Sequence, residues 1–189
     1  MKQAQVIQAV ELLRHAALLG LVICCVYTDL SKGKVYNWAT FGGLALGLAT
    51  AFVLDGDRAS PGWPHLISAG LAMAIGGGVF LLLYFVGGMG AGDVKLVIAV
   101  GALAPFIPGR VTAPAFMLIA LMYAALVGAA IALCILIWKR QVASGLRESA
   151  RALFTLRVKR DPAAPVTTMP YAVAIGAGVL WAWLEVMIP

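Results

Sequence analysis

The chain has 189 residues, of which 62% are hydrophobic and only 12% charged, and its mean hydropathy is +0.96. So little charge cannot cover the surface of a soluble domain, which excludes a water-soluble enzyme or binding module and points to an integral membrane protein. The net charge of +6 then reads as a topological signal, with Lys and Arg gathering in cytoplasmic loops, and not as a surface for nucleic acid.

A spanning helix needs about 20 mostly apolar residues. Candidate helices run over 9–28, 37–54, 65–87, 94–108, 112–138 and 169–188, which predicts an all-α, six-transmembrane-helix bundle forming a single membrane-embedded domain over residues 1–189. Glu11, Arg14 and His15 come before or early in the first apolar run, and no small-x-small motif ends it, so the first helix is expected to be retained and not cleaved as a signal peptide. Gly42, Gly43 and Gly47 in the second helix, Gly70 and Gly76 to Gly78 in the third, and Gly176 and Gly178 in the last are a signal for close helix packing. The fourth helix is short. Pro105, Pro108 and Gly109 end it, and at about 1.5 Å per residue it does not cross a full hydrocarbon core unaided.

After the fifth helix, Val142, Leu146, Ala150, Leu153 and Phe154 recur at helical spacing, while Arg140, Arg147 and Arg151 cluster on another face. This segment reads either as a basic amphipathic helix on anionic lipid or as a solvated positive loop. "RDPAAPVTTMP" follows as an irregular connection. Cys24, Cys25 and Cys134 lie in apolar runs and read as small buried hydrophobes; without a CxxC pair they suggest neither zinc nor a disulfide framework. His15 and His65 read as interfacial residues, and Trp38, Trp63, Trp138, Trp181 and Trp183 as an aromatic belt.

The loops set the expected orientation. Lys32, Lys34, Lys95, Lys139, Arg140, Arg147, Arg151, Arg157, Lys159 and Arg160 fall on one side; Lys2, Arg14, Arg58 and Arg110 fall on the other. The positive-inside rule makes the first side cytoplasmic and puts both termini outside.

Of the carboxylates, Glu11, Asp55, Asp57 and Glu185 fall on the outer side, and Glu148 and Asp161 can pair within the basic segment. Asp29 and Asp93 remain, at one depth on the cytoplasmic side. Asp93 just before a helix could serve as a simple N-cap. Asp29 could start a turn, "DLSKGK", although it sits at a helix C-terminus, where the dipole disfavours negative charge. Brought together, the two carboxylates could share a proton, one activating water while the other protonates a scissile carbonyl. That chemistry calls for neither metal nor cofactor. Gly90 and Gly92 would let a substrate backbone approach. Lys95 reads as an interfacial anchor.

"GAGDVKL" resembles the GxGD motif of membrane aspartyl proteases, with Gly90, Gly92 and Asp93 in register. "TDLSKGKVYNW" is similar to the segment around the first aspartate of prepilin peptidases, keeping Asn37 but with Val35 and Tyr36 where Ile-Pro is common. "MPYAVAIGAG" resembles the closing helix of that family. The resemblance implies a multi-pass inner-membrane aspartic endopeptidase of GxGD architecture, with Asp29 and Asp93 catalytic and Gly90, Gly92, Lys95 and Asn37 supporting the site. Its partners would be membrane lipids and pilin or pseudopilin precursors with an apolar N-terminal helix, from which it removes a short basic leader at the cytoplasmic face. The chain lacks the four-cysteine N-terminal extension tied to methyl transfer in longer relatives, so the compact Flp/Tad type is expected. From the residues alone, a proton-coupled transporter and a non-enzymatic pilus-assembly subunit are the rival readings.

Overall fold

The computed structural model describes residues 2–56, 63–86, 89–107, 109–138 and 171–188. Among these residues the chain forms six helices and no strands: α1 (Lys2–Lys32), α2 (Asn37–Asp55), α3 (Pro64–Phe85), α4 (Ala91–Leu103), α5 (Ala113–Trp138) and α6 (Tyr171–Met187). Four of them, α1, α2, α3 and α5, are long and apolar enough to cross a membrane. The protein is an all-α membrane protein. The expected amphipathic helix at 139–160 and the connection to α6 lie outside the described residues.

The helix boundaries expand or contract for local reasons. The expected first helix, 9–28, is extended at both ends to Lys2–Lys32, because hydropathy marks the greasy stretch while the Lys, Gln and Ala before it and the Leu and Lys after it are themselves tolerant of helix. It stops at Gly33, whose left-handed φ of 62° lets its N–H close on the Asp29 carbonyl at 2.8 Å. The expected fourth helix, 94–108, is shifted to Ala91–Leu103. Its end comes early because Ala104 precedes Pro105 and is forced into extended geometry, ψ 134°. The remaining helices match their expected spans to within the fraying of helix ends.

The short helix is the centre of the bundle. α4 touches all five other described helices, which ring it in the order α1, α2, α3, α5, α6. Val94, Leu96, Val97, Ala99 and Ala102 point in different directions around α4, and all are buried. A helix apolar on every side needs such enclosure. Lipid supplies no hydrophobic drive between helices, so the fit comes from close packing of small residues. A Cβ on Gly47 would stand 2.7 Å from the Ala102 carbonyl group, and one on Gly101 would stand 2.8 Å from the Met73 backbone. At Gly178 it would stand 2.5 Å from the Ala120 oxygen and the Ala124 nitrogen. The expected packing role therefore holds for Gly43, Gly47, Gly76, Gly77, Gly176 and Gly178, where a Cβ would meet a neighbouring helix, but Gly42, Gly70 and Gly78 face open space.

At the end of the bundle away from Asp93, Arg14 and Asp55, expected on the outer side, and His65, expected at the interface, are buried. Arg14 donates to the Ala102 carbonyl at 3.0 Å and the Leu103 carbonyl at 3.3 Å. It thereby tethers α1 to the C-terminus of α4, where a cation suits the helix dipole. Asp55, at the end of α2, accepts the backbone N–H groups of His65 and Leu66 and faces His65 Nδ1 at 2.9 Å. It caps α3 from the preceding helix. His65 is thus a buried partner of Asp55 and not an interfacial residue. His15 does stay at the helix rim, where it accepts the Trp183 indole N–H at 3.3 Å.

Replacing Arg14 by Met should leave the two α4 carbonyls buried without a donor. Each orphaned group costs about 1–3 kcal/mol, so the thermal midpoint in detergent should fall by several degrees. Gly178→Val, which cannot be relieved by rotating a side chain, should separate α5 from α6 and lower the midpoint further. An unchanged midpoint in either variant would refute the packing described.

Candidate active site

The stretch GAGD opens α4. Gly90 is extended (φ −84°, ψ 151°) and stands as the N-cap. Asp93 is then inside the first turn, not before the helix as expected. Its side chain reaches back to accept the Gly90 N–H at 3.3 Å, while its own N–H bonds the Gly90 carbonyl at 3.2 Å. A carboxylate here meets the positive end of the helix dipole. Asp93 is buried. Gly92 lies under the link between α1 and α2: a Cβ there would come within 3.2 Å of Val35 Cβ.

Asp29 lies in the last turns of α1, and the sequence alone sets it against an unfavourable dipole. The structure supplies a different neighbour. The Ala172 backbone N–H, in the first turn of α6, bonds the Asp29 carboxylate. Such first-turn N–H groups have no partner within their own helix. The N-terminus of α6 thus offsets the C-terminus of α1. Asp29 Oδ2 is buried and has no hydrogen-bond partner among the described residues. A buried unpaired carboxylate oxygen is costly unless it has a use.

The two carboxylates stand at the same end of the bundle, near enough to act electrostatically on each other. Two helix N-termini, those of α4 and α6, converge on them. Beside them, Lys95 Nζ donates to Asn37 Oδ1 at 3.0 Å and lies 5.5 Å from the centre of the Phe41 ring. This ties the start of α2 to the start of α4. Lys95 is therefore bound to protein and aromatic neighbours, more than a free anchor. Every residue singled out from the sequence for the site, Asp29, Asn37, Gly90, Gly92, Asp93 and Lys95, belongs to this end. The Ala172 N–H is an addition that side-chain chemistry could not have revealed, because a backbone donor carries no residue signature. The only trace of it is the opening of α6 within "MPYAVAIGAG".

A family model described as the type IV leader peptidase family matches residues 16–137. The chain belongs to this family and is a membrane-bound leader peptidase. No curated protein and no solved structure matches it. The matched stretch contains Asp29, Asn37, Gly90, Gly92, Asp93 and Lys95; α6 and its contact to Asp29 lie beyond it.

The Lys95–Asn37 bond is exposed, so Lys95→Ala and Asn37→Ala should each cost less than about 1 kcal/mol of stability. The double variant should cost little more than either single one. Fully additive losses in a double-mutant cycle would show that the pair does not act as a unit.

Proposed function

We propose that the protein is an aspartic-type endopeptidase in which Asp29 and Asp93 form the catalytic pair. The observation that carries this reading is the meeting of two acids, remote in the chain, at one end of the bundle, where they act on each other and one has a buried oxygen with no partner among the described residues. In the reaction, the ionised member takes a proton from water as its oxygen attacks the scissile carbonyl carbon. The protonated member gives its proton to the carbonyl oxygen. The resulting gem-diol then collapses: the C–N bond breaks, the new carboxyl forms, and the amine leaves with the proton first taken from water. As the carboxyl forms, one hydroxyl of the gem-diol returns its proton to the second aspartate, so the pair holds one proton throughout and the site returns to its starting state.

The supporting residues have positional parts in this scheme. Gly90 supplies the N–H that orients Asp93. Gly92 lets Val35, in the link from α1 to α2, pass close to the start of α4 and so packs that link against the Asp93 turn. Lys95 and Asn37 hold the starts of α4 and α2 together.

The substrate is a pilin or pseudopilin precursor of the Flp/Tad kind, with a short basic leader and an apolar helix behind it. The concentration of Lys and Arg at the loops near the pair favours cleavage at the cytoplasmic face of the inner membrane, with both termini outside. The apolar helix stays in lipid, and the bond to be cut lies at the boundary, where the pair stands. The whole chain acts as one membrane-embedded, multi-pass peptidase domain.

Cleavage of a prepilin-like precursor in membranes should be lost in both Asp29→Asn and Asp93→Asn, by about 10²-fold to 10⁴-fold, with each variant expressed and folded like the parent. Full activity in either variant would remove that aspartate from the mechanism. A precursor whose apolar helix is made polar should also escape processing; cleavage at the normal rate would argue against entry from lipid.

A further inference from the structure

A cavity of about 200 Å³ lies between α3, α5 and α6. Its walls include Val79 and Leu83 from α3, Ala125 and Gly128 from α5, Met89 and Tyr171. The last two place it. Met89 directly precedes Gly90, whose N–H bonds Asp93. Tyr171 directly precedes Ala172, whose N–H bonds Asp29. The cavity is therefore bounded by the residue before each backbone donor that holds one of the two carboxylates.

We infer that this cavity is the site that receives an apolar side chain of the precursor, next to the bond being cut and on its mature side. The inference rests on the peptidase reading and adds a determinant of substrate choice to it.

Three observations select this occupant. The lining is almost wholly hydrocarbon, so a basic leader side chain would lose its hydration there without compensation. The volume suits one large side chain: a cavity of about 150 Å³ in another protein holds a benzene ring. Val79, Leu83 and Ala125 are also exposed on the outer face of the bundle, so the cavity is continuous with the surface that meets lipid. A segment that reaches it from that side belongs to the membrane-embedded part of the substrate. The leader arrives from water and does not. Among the described residues α3 and α6 do not pack directly on each other, and the gap between them is bridged through α4 and α5. Filling the cavity would anchor the apolar segment while its neighbouring peptide bond lies over the carboxylates. Burying one large apolar side chain contributes enough to raise affinity by tens-fold.

The test uses the full chain in phospholipid vesicles with a purified precursor. Val79→Phe and Ala125→Phe fill the cavity from positions already exposed, so neither needs to disturb the core. Each should raise KM at least tenfold with kcat changed less than twofold. Cleavage should return when one apolar residue just past the scissile bond of the precursor is cut back to Ala, and only at that position. Unchanged KM in both variants, or a loss that no shortened precursor restores, would overturn the inference while leaving the Asp29→Asn and Asp93→Asn results to judge the peptidase reading separately. A readout independent of cleavage is a benzophenone amino acid at Leu83 in the Asp93→Asn variant. It should crosslink to the precursor just past the scissile bond; crosslinks to lipid alone would equally overturn the inference.

Discussion

The enclosure of α4 is the constraint on which the rest of the structure depends. This helix is too short to span a bilayer and is surrounded by protein on all sides. Its C-terminal end therefore falls where bulk water is not the ready partner of free backbone groups, and there each such group must be satisfied by the protein. The two ends are handled differently. The C-terminal carbonyls receive the Arg14 guanidinium from α1. The N-terminal turn receives the Asp93 carboxylate from its own sequence. One helix thus carries a cation-bound end and an anion-bearing end, in the sense its dipole favours. The same helix, α1, meets α4 at one end through Arg14 and brings Asp29 toward its other end.

This arrangement explains why an aspartate between glycines is useful in so apolar a chain. Gly90 and Gly92 permit the extended entry and the close pass of Val35, and Asp93 then folds back on the entry it terminates. The local structure that makes Asp93 a good helix-start residue also fixes its side chain in place. A structural role and a chemical role are not alternatives here, since the hydrogen bond from Gly90 engages one carboxylate oxygen and leaves the other for further contacts. Asp29 is arranged in a similar way, with the N-terminus of α6 on one side of it and an unpaired oxygen on the other. Two carboxylates oriented by backbone donors need no side-chain partner to stay in position, and their surroundings are free to be apolar. That leaves room for the hydrocarbon cavity whose walls include Met89 and Tyr171, the residues just before those two donors.

Much of this was legible in the chain itself. Composition gave membrane class, long apolar runs located the helices, and the GAGDVKL and TDLSKGKVYNW segments marked Asp93 with Lys95 and Asp29 with Asn37. These signals are local: a hydropathy window, a capping geometry or a motif is complete within a few turns of chain. The misplacements were local failures of the same signals. Hydropathy ended the first helix before Gly33 because it reports preference for lipid and not the stop supplied by a left-handed glycine. The same reading counted Arg14 with the outer loops and put His65 at the interface, because a polar side chain near a helix end rates as exposed when the α4 carbonyls or Asp55 that await it are not known.

Residue chemistry and order by themselves determined that this is a helical membrane protein, where its helices lie, and which two acids deserve attention. Only the tertiary structure decided that α4 is the central helix, that Arg14 and Asp55 are internal caps, and that the start of α6 reaches Asp29. The physical reason is that these are contacts between segments remote in the chain, made largely by backbone groups. Every residue possesses such groups, so their pairing leaves no pattern in the sequence and is set only when the helices pack.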